Sequence, residues 1–139
     1  MKVVFSDKLE NMEFLGRRLE EFNGRFSDKQ VLYKDQKEFG FYAYEDDKII
    51  GGICGNTDMG NWLYIDMLYM DDKHKGKGIG RALVKEAENF ARQHGCVGMH
   101  LTTYCWQAKG FYEKLGFEEF GKLNDHPLGA VRHYMKKQF

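Results

Sequence analysis

The residues best suited to chemistry form one short basic stretch, "HKGKGIGRALVKEAENFARQHG", His74 to Gly95, in which Gly76, Gly78 and Gly80 alternate with Lys77 and Ile79 ahead of a helical pattern. A helix start carries N–H groups with no intrahelical partner and a partial positive charge. Glycine lets those groups approach an anion without interference from a Cβ. Lys73, Lys75, Lys77 and Arg81 add cations, and the whole describes a cradle for a phosphate or pyrophosphate. Spacing excludes two familiar templates. A dinucleotide fingerprint, G-x-G-x-x-G, would need glycine at the position held by Arg81. A Walker loop needs a glycine and lysine before a Ser or Thr, and none stand in that relation here. An ordinary strand-to-helix turn with solvated lysines fits the same residues, so the rest of the chain has to decide.

The elements around the loop can be read from hydrophobic period. "NWLYIDMLYM", Asn61 to Met70, is apolar on both faces, as a central strand covered on two sides would be. After the loop, Ile79, Leu83, Ala87, Phe90 and Ala91 mark the buried face of a helix running to about His94, with Gly95 as its left-handed cap. Upstream, "VVF" reads as a short strand. It leads into a helix with Asp7 and Glu10 in capping-box spacing, a stripe of Leu9, Met12, Leu15, Leu19 and Phe22, and a stop at Gly24. Arg25 to Glu38 lacks a clean period and reads as a long loop, a kind of segment that is often functional. "FGFYAYEDDKIIGGICG" predicts a hairpin turning at Asp46 and Asp47. "CVGMHLTTY" predicts a strand and "QAKGFYEKLGF" a short helix with Ala108, Phe111 and Leu115 inward. Strands over Glu118–Leu123 and Ala130–Lys136 flank the loop "NDHPLG". The order β-α-β-β-β-α-β-α-β-β implies a mixed sheet with helices packed on it.

Composition narrows the function classes. The 139 residues fit a single domain over 1–139, and a 42% hydrophobic share is enough to fill its core. Lys plus Arg and Asp plus Glu number 21 each, so no overall field draws the chain to nucleic acid or an anionic membrane, and any anion site must be local. Cys54, Cys96 and Cys105 are odd in number and lack C-x-x-C spacing, which argues against a disulfide framework or a zinc site and for reduced thiols in the cytoplasm. The five histidines are scattered, with no i, i+4 pair on a helix, so no metal site is expected. The N-terminus turns polar too early for a signal peptide, and no later run approaches a membrane span.

Two motifs in order then carry a resemblance. "LYMDDKHKGKGIGRALVKEAENFA" resembles the acyl-CoA-binding motif of the GNAT N-acetyltransferase superfamily, [QR]-x-x-G-x-[GA], with Lys75 at its first position in place of Gln or Arg. "QAKGFYEKLGFEEFG" is similar to the family's second signature, A-x-x-F-Y-x-K-x-G-F, at the matching distance downstream. The element order agrees across nearly the whole chain. The resemblance implies an α/β (α+β) fold with a mixed, mostly antiparallel central sheet of six to seven strands and flanking helices. It implies acetyl-CoA as cosubstrate and transfer of the acetyl group to a primary amine of a small molecule or peptide. A non-catalytic acyl-CoA sensor of the same fold is the alternative. Dimerisation is common in the family, and the C-terminal strands could serve it.

By the same resemblance, backbone N–H groups of Lys75, Gly76, Lys77, Gly78, Ile79, Gly80 and Arg81 would hold the CoA pyrophosphate. The strands on either side of the loop helix would splay to admit pantetheine. Leu68, Tyr69 and Met70 would supply backbone hydrogen bonds, one of them polarising the thioester carbonyl. Tyr112 matches the family tyrosine that protonates the departing thiolate. An unperturbed tyrosine titrates near ~10 and so stays protonated at neutral pH. Two adjacent helical residues point about 100° apart, which lets Phe111 fill the core while Tyr112 faces the cleft. Cys105 stands where the family often has an Asn that contacts the cofactor.

The amine must lose a proton, to a carboxylate or a water relay. Asp66 is the only charged residue in "NWLYIDMLYM", and period two places it with Tyr64 and Leu68, in surroundings expected to raise its pKa as a base requires. A rim residue that orients substrate fits Asp66 equally well. "LNDHPLGAVRHYMKKQF" resembles the tail of a bacterial GNAT subgroup with "FQA" before "FY" and an acidic-x-Pro-x-Gly-x-x-Arg loop. Tyr64, Tyr104 and Trp106 could wall an acceptor pocket or could be core.

Overall fold

The structure is a computed structural model that describes residues 1–25 and 36–139. The middle of the expected Arg25–Glu38 loop, 26–35, lies outside the described residues. The chain divides into two compact units, Met1–Val31 and Leu32–Phe139.

The first unit holds α1, Leu9–Gly24. Its end at Gly24 agrees with the sequence, but its beginning does not. Lys8 is the N-cap and makes no side-chain cap, while the Ser6 hydroxyl accepts from the Lys8 N–H at 3.3 Å and from Asn11 Nδ2 at 2.7 Å, so the expected Asp7–Glu10 box is not formed. Val3, Val4 and Phe5 are exposed and form no strand. The apolar stripe is also exposed, from 53% at Phe22 to 66% at Leu15. The spacing is helical as expected, but among the described residues of this unit no second element stands against which the stripe could bury.

The second unit is a six-stranded sheet in the order β1-β2-β3-β4-β6-β5. Its strands are β1 Glu38–Glu45, β2 Lys48–Asp58, β3 Trp62–Met70, β4 Gly98–Tyr104, β5 Glu118–Asn124 and β6 Val131–Gln138. Every pairing is antiparallel except that of β3 with β4. The β1–β2 hairpin turns at Asp46 and Asp47 as expected, with Glu45 opposite Lys48. Between β3 and β4 runs α2, Ile79–Gln93. Between β4 and β5 runs the short α3, Lys109–Lys114. The fold is thus the mixed, mostly antiparallel α/β arrangement that the motif order implies, with six strands.

The core lies between the sheet and α2. Leu83, Val84, Ala87 and Ala91 are buried on the helix against Ile53, Leu63, Met99, Leu101 and Met135, the most completely enclosed side chains of the sheet. Removing one such side chain, Leu83→Ala for example, costs about 2–5 kcal/mol. Ile79 and Phe90 pack at the margin of this cluster, Phe90 against the rings of Phe39 at 5.5 Å and Phe41 at 6.2 Å. One member of the helix face was not foreseen. Glu88 is only 7% exposed, and it is answered by Lys137 Nζ at 2.8 Å and Arg92 Nη2 at 3.0 Å. Burial alone would raise its pKa, but the bonds to Lys137 and Arg92 outweigh that, and the net direction is down.

β3 differs from the expected strand covered on both sides. Leu63 and Ile65 are buried, whereas Asp66, Met67 and Tyr69 are exposed. The pattern breaks where the register to β2 shifts, Gly55 facing Ile65 and Cys54 facing Met67, which leaves Asp66 as the extra residue of a β-bulge. A bulge of this kind requires a close backbone approach. A Cβ at Gly55 would lie 1.9 Å from the Tyr64 carbonyl oxygen. Downstream of the bulge Leu68 stands opposite buried Ile53 and packs on the core, so it is on the α2 side, away from Asp66 and Tyr64.

Candidate active site

β3 and β4 pair at only two positions, Leu63 with Met99 and Tyr64 with His100. Beyond these the two parallel strands no longer bond, and the C-terminal half of β3 has a free edge on that side. Which groups it presents follows from antiparallel alternation. The Asp71 N–H donates to Ile50 O at 2.8 Å, and Tyr69 faces Gly52, so Asp71 and Tyr69 direct their backbone groups at β2. Leu68 and Met70 therefore direct theirs into the gap toward β4. Of the three residues expected to bind pantetheine, Leu68 and Met70 are equipped to do so, and Tyr69 is engaged in the sheet.

The glycine loop closes the same end of the gap. Asp71 accepts from the Lys73 N–H at 3.1 Å and caps a single 3-10 turn, Asp72–His74. His74 fastens this turn to the β1–β2 hairpin through Glu45, and its Nδ1 is buried without a hydrogen-bond partner among the described residues. Gly76 and Gly78 have φ of +82° and +80°, with nothing near a notional Cβ, so they are glycine for backbone conformation. Gly80 is glycine for space: a Cβ there would lie 2.5 Å from Met70 Sδ and 3.1 Å from Phe111 Cζ. Gly78 is the N-cap of α2 and offers no side-chain cap. The N–H groups of Gly76, Gly78, Ile79, Gly80 and Arg81 accordingly find no acceptor among the described residues. Lys75 and Lys77 donate theirs to Asp72 O and His74 O at 3.3 and 3.4 Å. The Lys75 ammonium is paired with Asp72 at 2.6 Å, a bond that raises the lysine pKa and lowers that of the aspartate. The cradle is thus made of five free amides more than of the lysines that first drew attention.

α3 completes the arrangement. Phe111 touches the Gly80–Met70 junction and is half-buried, while Tyr112 is 7% exposed, edge-on to Phe111 and Phe117. The expected division, Phe111 in the core and Tyr112 in the cleft, is reversed in degree of burial, because the helix is one and a half turns long and Phe117 folds back beneath it, its N–H bonded to Tyr112 O at 3.0 Å. The Tyr112 hydroxyl makes no hydrogen bond among the described residues, yet it is not fully enclosed. Burial pushes its pKa up to about 12. A residue not singled out from sequence positions this helix. Gln107 Oε1 accepts from the Tyr104 N–H at 2.8 Å and from Thr103 Oγ1 at 3.2 Å, tying the end of β4 to the start of α3. The "QA" of the second motif was its signal.

Asp66 is exposed at the bulge and not enclosed by apolar walls as expected, because the extra residue turns it outward. Cys105 is exposed in the turn after β4; its N–H donates to Val131 O at 3.1 Å and its thiol has no partner among the described residues. Tyr104 and Trp106 stack at 4.7 Å, the tryptophan 62% exposed, so neither is core. No helix among the described residues is long and apolar enough to cross a membrane.

The sheet is opened along one parallel pair, with amides unpaired among the described residues at both the strand edge and the helix mouth, a geometry suited to an extended anionic ligand. Comparison with known proteins makes this specific. Residues 7–117 match the Acetyltransferase (GNAT) family, and the chain belongs to it. It is 34% identical over 92 residues to blasticidin-S acetyltransferase of Streptomyces morookaense, covering 66% of this chain and 67% of that one. An acetyltransferase from Bacillus cereus ATCC 14579 superposes with a TM-score of 0.86 at 28% identity, covering 100% of this chain and 99% of that one. A streptothricin acetyltransferase from Bacillus anthracis, solved with acetyl coenzyme A, has a TM-score of 0.68 at 24% identity, covering 84% of this chain and 67% of that one. At that identity it speaks for the fold. The protein is an acetyltransferase, and acetyl-CoA is the cosubstrate of its family.

Proposed function

We propose that the chain, acting as one transferase domain over 1–139, moves the acetyl group of acetyl-CoA directly to a primary amine of a small molecule or peptide in the cytoplasm. The observation that carries this reading is the gap between β3 and β4, with free amides of Leu68 and Met70 on its edge and those of Gly76, Gly78, Ile79, Gly80 and Arg81 at its mouth. Acetyl-CoA supplies a thioester whose acyl carbon is open to attack by an amine. The five loop amides bind the pyrophosphate without the penalty of desolvating a lysine. Arg81 adds charge at the helix start. Leu68 or Met70 directs a fixed N–H at the acyl oxygen, which holds negative charge best where water is excluded.

Tyr112 gives its hydroxyl proton to the leaving sulfur. Its high pKa keeps it protonated throughout the neutral range and makes it a donor only to a strongly basic thiolate. Asp66 stands exposed on the face from which the amine would come and takes the ammonium proton, directly or through water. Tyr64, on that face of β3, Tyr104, at the end of β4, and Trp106, just beyond it, provide flat walls for the acceptor. The name of the Streptomyces relative supports a small-molecule amine as acceptor. The three free cysteines support a reducing compartment.

The test is release of free CoA across a panel of polyamines, amino acids, aminoglycosides and peptide N-termini. Turnover with at least one amine, lost in Tyr112→Phe while CoA affinity stays within about threefold, supports the assignment. Tight acetyl-CoA binding with no release from any amine would make the chain an acyl-CoA sensor instead.

A further inference from the structure

The face of the sheet turned away from α2 carries a charge that no carboxylate answers among the described residues. β4 turns Met99, Leu101 and Thr103 toward α2, where all three are buried, and so presents His100, Thr102 and Tyr104 on the other face. The register places Arg132 of β6 opposite Tyr104, and Tyr134 opposite Thr102. Arg132 Nη2 donates to Thr102 Oγ1 at 2.9 Å, and Nη1 lies 3.4 Å from His126 Nδ1. The guanidinium carbon stands 5.7 Å from the ring centroids of both Tyr104 and Tyr134, and Nε is buried with no hydrogen-bond partner among the described residues. No Asp or Glu pairs with Arg132 among the described residues. Asp125, in the adjoining loop, spends its carboxylate on the Gly129 N–H at 3.1 Å.

Such a residue is unusual on energetic grounds. A surface arginine without a counter-ion normally extends into water, and holding it half-buried loses hydration with no ion pair in return. Here a hydroxyl, an imidazole and two aromatic faces hold it in one place. A guanidinium has five N–H donors in a fixed planar fork, and only two are used. It stands on β4's side of the gap, at the C-terminal end of that strand. On β3's side the exposed group is acidic, Asp66. The acceptor face thus offers a base for an amine on one side of the gap and a pre-oriented fork for a planar anion on the other.

We infer that Arg132 is a specificity residue which binds a carboxylate of the acceptor, so that the acceptor is a molecule with both an amine and a carboxylate, an amino acid or short peptide. The inference rests on the transfer reading for its purpose, and binding tests it independently of transfer. The full-length protein saturated with CoA is titrated calorimetrically with L-lysine, β-alanine and glycylglycine, each beside its own carboxamide. At least one acid binds tenfold or more tightly than its carboxamide. Arg132→Gln brings the two within twofold, Arg132→Lys restores part of the difference, and Thr102→Val weakens the acid a few-fold. Should Arg132→Gln unfold, the Lys and Val variants carry the comparison. Acid and carboxamide binding alike in every pair, or a preference that survives Arg132→Gln, would overturn the inference. CoA release from acetyl-CoA is followed on the same pairs. Carboxylate-dependent binding without release keeps Arg132 and refutes the transfer reading, and release indifferent to the carboxylate does the reverse.

Discussion

The two faces of β4 do different kinds of work. Toward α2 the strand buries Met99, Leu101 and Thr103, and the neighbouring chemistry belongs to the backbone: loop amides, strand-edge amides and one tyrosine hydroxyl. Toward the open face it carries His100, Thr102 and Tyr104, and the chemistry belongs to side chains, with His100 bonded to Asp58 at 3.0 Å and Arg132 bonded to Thr102. On the proposed function, backbone amides read a group common to every acyl-CoA and leave the side chains free to pack. Side chains read what varies from one acceptor to another. On the proposed function, one face serves a constant ligand and the other a particular one.

The largest way to break this division is to remove the bulge that separates the paired and open halves of β3. Gly55→Ala places a methyl against the Tyr64 carbonyl, a backbone atom that cannot swing aside, and should cost about 3 kcal/mol or more in a denaturant titration. Next is Tyr112→Phe, expected to lower kcat about 100-fold with little change in acetyl-CoA affinity, as steady-state kinetics would show. An equal loss in KM would make Tyr112 a binding residue. The same tyrosine has a signature in stability. A folded-state pKa raised from 10.0 to about 12 means the unfolded chain ionises first, so stability is whole below about pH 10 and falls by about 2–3 kcal/mol up to about pH 12. Melts of Tyr112→Phe should lack that alkaline decline.

Glu88→Gln sharpens the comparison from the opposite side, since it alters a buried charge on α2 that should matter to folding and not to chemistry. Its loss should cost about 2 kcal/mol at neutral pH by leaving Lys137 without a carboxylate. Glu88 has a lowered folded pKa, so its contribution is present above the usual glutamate range and disappears as pH falls through that lowered value. The variant should show a flatter acid melt and normal kcat. The smallest effect expected is that of Gly78→Ala, about 1 kcal/mol of strain at φ +80°, read as a few-fold loss in CoA affinity with kcat preserved.

The contrast between faces also explains what was legible in the sequence. The loop and the "FYEKLGF" signature were readable through local spacing as the family resemblance that the match over 7–117 bears out, and the element order was readable apart from the expected first strand, which does not form. Leu68 and Met70 were readable as a segment, but Tyr69 could not be set apart from them without the β2 register. The bulge was invisible, since nothing in "NWLYIDMLYM" marks Asp66 as the extra residue. Leu68 went to the wrong face for that reason, and Asp66 was expected in apolar surroundings it does not have. α1 shows the limit of periodicity: it gave the helix and its end at Gly24, but no spacing can name the surface that covers a stripe. Arg132, at the start of β6, closes a sequence pattern that was noted, yet its significance needed the partners that β4 brings to it. Glu88 sat on a helix face otherwise read as apolar, and beside Arg92 one turn on, it is Lys137, far along the chain, that accounts for it.

The two-residue seam between β3 and β4 also affects how the molecule exchanges protons with water. A continuous sheet protects its central amides best, but here two three-stranded halves meet at Leu63–Met99 and Tyr64–His100 and then part, so amides of Leu68 and Met70 sit mid-sheet with the exposure of an edge. A ligand lodged there would act as a missing strand. Deuterium uptake at those two amides should slow sharply on adding CoA, while uptake along the β1–β2 hairpin barely changes.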